Sequence, residues 1–447
     1  MNGNPPALFA LASAWALLLS GCQEKGSHPA TEVTYNCAAN AGEIQQLQSA
    51  IPAFRDSTGI TLTLQPFTGQ EKLYAMMAAG QAPDIFYTNT VVRDRLAAEG
   101  RLLDLRSIAG NDGFLSRLRT DVLAMGTAAD SGLYSIGNWT FTAGVYFNKD
   151  LFDEEGIPYP DTTWTWESMV GIARRLARHD GTERYGIFIG SHFTELLEQM
   201  NGANLPRSAL LLTLSPESLE AYRAYVALME EGLMPDLRRV QAMGMQSVQL
   251  LQGKRVGMLV EAVPHQTLFE ALDMRWGIAP LPRFGRKPVR YFRSASGGLS
   301  MSAESRNPAA AWTAMKWIIA GAPVYQPNPV LRDVDFVAGW EQRYPRLAHS
   351  GFREVWQWSL NHGAGDPRLF VRFSSWTSTT ILERLQPLLD RVWARSIRVD
   401  DLRLAVPEIN AAVRAELERT VRRKDLGERF VHDIQHQLDI LDHEPGL

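Results

Sequence analysis

The chain has 447 residues, 45% hydrophobic and 21% charged, with a formal net charge of −4. A chain this long exceeds the roughly 250–300 residues at which single cores stop growing, so two lobes are expected, and the charge lacks the basic excess of a nucleic-acid binder. Its two cysteines, Cys22 and Cys37, exclude a disulfide framework if Cys22 is modified, and they exclude a four-cysteine zinc site outright.

In chain order, residues 7–19 form an uncharged apolar run. It is shorter than the ~20 residues that span a bilayer and has the length of a signal-peptide core, roughly 7–15 residues. Residues 23–31 are polar and contain Gly and Pro, as a tether does. Glu32 to Cys37 then reads as a strand, with Cys37 buried at its end. Ala41 to Ser57 reads as a helix, because Ile44, Leu47, Ile51 and Phe54 fall on one face. The alternation from Ile60 to Leu64, followed by Pro66, makes a second strand. A helix around Leu73 to Ala79 leads to a third strand at Asp84 to Tyr87. Strand, helix and strand in that order imply parallel pairing with a right-handed crossover, and an open α/β sheet places ligands at the carboxyl ends of its strands. From about Trp164 to Leu251 the chain reads as mostly helical. Thr165 caps one helix, Ser215-Pro216-Glu217 opens another, and Asn307-Pro308 repeats the device before Ala309 to Ala320. Helix resumes from Ser378. No second apolar run of membrane length follows Cys22, so only a lipid is expected to hold the body to a membrane.

Two resemblances extend this reading. Leu19-Ser20-Gly21-Cys22 resembles the bacterial lipoprotein cleavage box, which implies that residues 1–21 are removed and that Cys22 carries the lipid. An ordinary secretory signal cut elsewhere is the alternative. Further on, Gly80-Gln81-Ala82-Pro83-Asp84-Ile85, Leu133-Tyr134-Ser135-Ile136, Val145 to Phe152, Thr163 to Glu167, Leu251 to Met258 and Ser296-Gly297-Gly298-Leu299 stand in the order found in extracellular solute-binding proteins of carbohydrate ABC transporters. The resemblance runs from about Thr34 to Val413. It implies an α/β, two-lobe periplasmic-binding-protein fold of type II with hinge strands and a cleft between the lobes. The expected first lobe holds residues 32–143 plus 276–322 and the second 144–275 plus 323–447, with residues 22–31 as tether. Crossings are expected near Val145, Trp276-Gly277-Ile278 and Ala322. The resemblance also implies a monomer in the periplasm or at the cell surface that captures a sugar and delivers it to ABC permease subunits. It implies no cofactor and no catalysis.

Candidate ligand contacts lie on loops after strands. They are Glu43 at a helix start, Tyr87 and Asn89 after the third strand, Glu261 and His265 after the Met258 strand, and Ser296 and Gly297. Trp139 and Trp376 are further candidates, with cleft and core both open for each, whereas Trp164, Trp166, Trp312 and Trp317 read as core. Maltodextrin binders carry a stacking tryptophan where this chain has Pro264-His265, so a maltodextrin ligand is not implied. A secreted hydrolase is the rival class, but the chain contains no G-x-S-x-G elbow, H-E-x-x-H or Walker loop. His432, His436 and His443 share a helix stripe with Asp439, which reads as a solvated face rather than a metal site. The same fold binding a non-carbohydrate solute, or serving a membrane sensor, is the other alternative.

Overall fold

The computed structural model describes residues 31–39, 41–67, 69–138, 140–180, 183–203, 210–263, 272–284, 293–295, 297–362 and 373–443. Cys22, Trp139, His265 and Ser296 lie outside them.

The amino-terminal strands and helices form as their periodicity predicts. Strands β1 (Thr31–Cys37) and β2 (Ile60–Pro66) pair in parallel from Thr31↔Ile60 to Cys37↔Pro66. Helix α1 (Ala41–Thr58) connects them, burying Leu47 and Phe54 fully and Ile44 and Ile51 partly. Helix α2 (Gln70–Ala78) leads to β3 (Ile85–Thr88), which runs parallel to β1, and α3 (Thr90–Ala98) follows. A late strand, β9 (Gly298–Met301), closes this sheet antiparallel to β3, giving the order β2-β1-β3-β9. Side chains alternate across a strand, so Val33, Tyr35 and Cys37 share one face, in a core with Leu47, Trp312 and Ile318.

The second sheet has the order β5-β6-β4-β7 and comprises β4 (Thr140–Asn148), β5 (Tyr185–Ile189), β6 (Val256–Val263) and β7 (Trp276–Pro280). A short strand, β8 (Arg293–Ala295), pairs with the start of β4. Helices α4 (Trp166–Leu176), α5 (Pro216–Glu230), α6 (Leu237–Met243) and α7 (Ser247–Gln252) belong to the chain between β4 and β6. The remainder is helical: α8 (Pro308–Ala320), α9 (Phe336–Arg343), α10 (Phe352–His362), α11 (Ser378–Trp393), α12 (Leu402–Val421) and α13 (Glu428–His443). One face of the second sheet packs Tyr146, Leu259 and Ile278 against Phe336, Trp340 and Trp356. The other packs Val145, Phe147, Met258 and Val260 in a core that continues through α11–α13 to α3.

The helix starts test the capping signals. Thr165 and Ser168 form a reciprocal capping box, and Ser215 accepts from Ser218 N at 3.1 Å with Pro216 in the first turn. Asn307 departs from expectation. Its ψ of 63° lies outside the extended geometry in which a cap side chain reaches the first-turn N–H groups, and it makes no such bond.

The crossings between sheets also differ from the sequence reading. Strand β7, expected in the first lobe, pairs along β4 from Gly144↔Pro280 to Asn148↔Trp276. An apolar five-residue run buried on both faces reads the same in either sheet, so its partner was not encoded locally. The chain passes between sheets after Ile136 and before Thr140, and again after Ala295 and before Gly298, instead. Ile136 bridges Leu299 on the first-sheet side, and Thr140 pairs with Ala295 on the second, so the two crossings run side by side. The third crossing comes later than Ala322. Val330 and Leu331 remain in the first-sheet core, Leu331 bridges Leu118, and Arg117 pairs with Asp333 at 2.6 Å. Phe336 already packs with the second sheet.

Candidate ligand cleft

The parallel strands β1, β2 and β3 end at one edge of the first sheet, and β9 begins there, since Thr88 pairs with Gly298. Tyr87 is half-buried at this edge, with Phe67 edge-on to its ring at 6.3 Å. Gly297 sits directly beneath it. With φ of +38°, a Cβ there would lie 2.3 Å from Thr88 O and 2.5 Å from Tyr87 Oη, so only glycine lets the crossing strand approach so closely. Asn89 is committed locally: its Oδ1 accepts from Val92 N at 2.9 Å and caps α3.

Glu43 occupies the first turn of α1, half-buried, where the helix dipole favours its charge. Below it lies a buried polar group. Burial pushes the Cys37 thiol up to about 11; a hydrogen bond from Tyr35 opposes the shift and the Glu43 charge adds to it. Burial likewise raises Tyr35 and Tyr325. These groups are held protonated, the reverse of the activation a nucleophile needs. Tyr325 also takes a side-chain hydrogen bond from Asn138. The main-chain carbonyl of Asn138 accepts from Asn328 Nδ2 at 2.9 Å. The same amide group donates to Ile319 O at 2.9 Å, and its oxygen accepts from Val330 N at 3.1 Å. Asn328, fully buried, therefore fixes the residue that enters the first crossing.

On the second sheet, parallel strands β5 and β6 end at Ile189 and Val263. The short helical turn Ser191–Phe193 follows β5 after Gly190 and carried no sequence motif. Glu261 is half-buried on β6 and accepts from Ser247 Oγ at 3.0 Å, which turns its carboxylate toward the start of α7. Trp376 is 5% exposed and edge-on to Phe430 at 6.4 Å. It lines a cavity of about 320 Å³ between the first turns of α3, residues 124–129 and α13, so Thr90 links it to the Asn89 edge. The structure thus brings Tyr87, Asn89 and Gly297 together, sets Glu43 on the same sheet edge and Glu261 near the end of β6 in the second sheet, and buries Trp376 in the core beside Phe430 of α13.

The tryptophans expected in the core are there: Trp164, Trp166 and Trp312 are buried and Trp317 is half-buried. His432, His436 and His443 are exposed on α13. Among the described residues no group of three or more His, Cys, Asp or Glu side chains could hold a metal ion, and no helix is long and apolar enough to cross a membrane.

The sequence profile of the bacterial extracellular solute-binding proteins matches residues 38–320. The chain belongs to that family. Among solved solute-binding structures, the ABC substrate-binding protein Lmo0181 of Listeria monocytogenes, in complex with cycloalternan, is 18% identical with a TM-score of 0.69, covering 87% of this chain and 99% of its own. Maltose-bound MalE3 of T. maritima is 17% identical, with a TM-score of 0.66 over 86% of this chain and all of its own. The sugar-binding protein MalE of Xanthomonas citri is 19% identical, with a TM-score of 0.64 over 87% and 99%. The fold of this solute-binding protein is therefore the two-lobe periplasmic-binding-protein fold. The carboxyl edges of its two sheets converge on the paired crossings.

Proposed function

We propose that this solute-binding protein captures a sugar or oligosaccharide between its lobes and presents the closed, loaded form to an ABC permease. The observation that carries the reading is the convergence of both carboxyl edges on the side-by-side crossings Ile136–Thr140 and Ala295–Leu299. Closure about such crossings favours a ligand that touches both lobes, because only differential affinity for the closed state shifts the population. Residues 31–137 and 298–333 make the first lobe in this reading, and 140–295 and 336–443 the second. Tyr87, Asn89, Gly297 and Glu43 line the first-lobe wall, and Ser296 and Trp139, outside the described residues, are assigned to the site from the sequence. Glu261 belongs to the opposite wall, and His265, outside the described residues, is assigned there from the sequence. Aromatic faces suit the apolar side of a pyranose, and carboxylate and amide groups suit its hydroxyls. Cys22 carries a lipid that holds the monomer at the periplasmic face or cell surface, and the protein performs binding rather than catalysis.

The test is a thermal-shift screen of the chain carrying Cys22→Ser against mono- and oligosaccharides, polyols and peptides. A ligand bound only by the native state stabilises it by about 2.7 kcal/mol at a hundredfold excess over Kd. A shift confined to one sugar class is expected, and a shift with peptides alone would overturn the carbohydrate assignment. Incorporation of labelled fatty acid into the wild type, lost in Cys22→Ser, checks the anchor.

A further inference from the structure

The last three helices are rooted in the second lobe. Asn410 of α12 exchanges two hydrogen bonds with the backbone of Leu212, at 2.8 and 3.1 Å. Arg223 of α5 pairs with Asp400 at 2.6 Å, and Trp393 packs edge-on against Tyr222 and Tyr225. The same helical layer then reaches across to the first lobe. The N–H of Gly427, just before α13, donates to Ala98 O at 2.7 Å. That carbonyl belongs to the last residue of α3, where helix geometry leaves acceptors without an intrahelical partner. Beside it Arg423 donates to Glu99 Oε1 at 2.8 Å, and Arg429 donates to the Asp130 carbonyl at 3.3 Å. Phe430 is 4% exposed and shares one apolar cluster with Leu96 and Ala97 of α3.

From this we infer that α13 and the turn before it form a strap that sets the angle between the lobes. The inference rests on the two-lobe capture reading. Helix α3 starts at Asn89, at the cleft edge, and its far end, Ala98–Glu99, is where the strap grips. Rotation about the crossings moves α3 relative to helices fixed on the second lobe, so these contacts must break or slide when the lobes change angle. They stabilise the lobe angle at which they form, and the fraction of molecules in a binding-competent angle scales apparent affinity. Phe430 meets Trp376 edge-on at 6.4 Å, and the strap residues are separate from Tyr87, Asn89, Gly297, Glu43 and Glu261, so the strap would tune capture from outside that set.

The experiment needs no ligand and therefore separates failure of the strap from failure of the sugar assignment. Spin labels are placed at the exposed positions Ser49 on α1 and Arg238 on α6, in the chain carrying Cys22→Ser. Cys37 is 1% exposed and does not compete for label. Pulsed-dipolar distances are recorded for the labelled parent, Arg423→Ala, Phe430→Ala and Arg423→Lys. The expected result is a shifted or second distance population in both alanine variants, with the parent distribution restored by lysine at 423. Parent-like distributions in both alanine variants would overturn the inference, including the case in which their melting temperatures fall, because that loss would reflect packing alone.

Discussion

Cys37 shows how a single side chain can be placed by sequence while its chemistry is not. Its position after Val33-Thr34-Tyr35 predicted burial at a strand end, and it is 1% exposed there. That the thiol shares its pocket with Tyr35 and Tyr325, under the charge of Glu43, depends on a residue almost three hundred positions away. The consequence is a pH dependence. Burial moves the thiol from its ordinary 9.0 to about 11, so the folded state favours the proton more than the unfolded chain does. The stabilisation is then fully present below pH 9 and is lost as pH rises through 11. Tyr35 and Tyr325 shift in the same direction, so the thiol is read by difference. Urea unfolding of wild type and Cys37→Ala between pH 8 and 11 should show a shallower alkaline fall in the variant. Parallel curves would remove Cys37 from the account. The glycine at 297 is a similar case: its motif was visible, but the Tyr87 ring that demands it was not.

At the scale of elements, the capping signals were legible where backbone geometry followed residue type. Thr165 has extended φ and ψ of −118° and 168°, so its hydroxyl reaches the Ser168 N–H and Ser168 answers. Asn307 precedes a proline and has ψ of 63°, so the same kind of side chain cannot fold back onto its helix. Residue identity supplied the candidate, and the torsion decided the outcome. Thr165→Ala should therefore cost about 1 kcal/mol, the usual loss of a cap, while Asn307→Ala should stay within roughly 0.5 kcal/mol of wild type. Denaturant midpoints for the two variants check the contrast, and equal losses would show that Asn307 contributes by another route. Strand β7 marks the limit of such local reasoning. Its burial was legible from WGIAP, whereas its pairing with β4 is a long-range choice that no window of sequence contains.

For the whole molecule, length alone called for two lobes, and the sheets comply, but the apolar core does not divide with them. One continuous cluster joins Phe86 and Leu96 behind the first sheet to Val145 and Met258 in the second, through Trp393, Phe430 and Leu438 of the closing helices. The helices that do this lie after residue 320, where the family profile ends, which is why the motif order that revealed the fold said little about them. A shared core has a thermodynamic signature. If the lobes were joined only by their three crossings, each would unfold at its own temperature. With apolar surface buried between them, unfolding one lobe exposes part of the other's core and the transitions merge. Calorimetry of the chain carrying Cys22→Ser should give a single peak whose calorimetric and van't Hoff enthalpies agree. In Phe430→Ala, which removes a buried ring from the junction, that agreement should weaken while the first-sheet core stays intact. Two resolved peaks already in the parent would mean that the lobes fold as separate units and that the cluster, though contiguous, does not couple them.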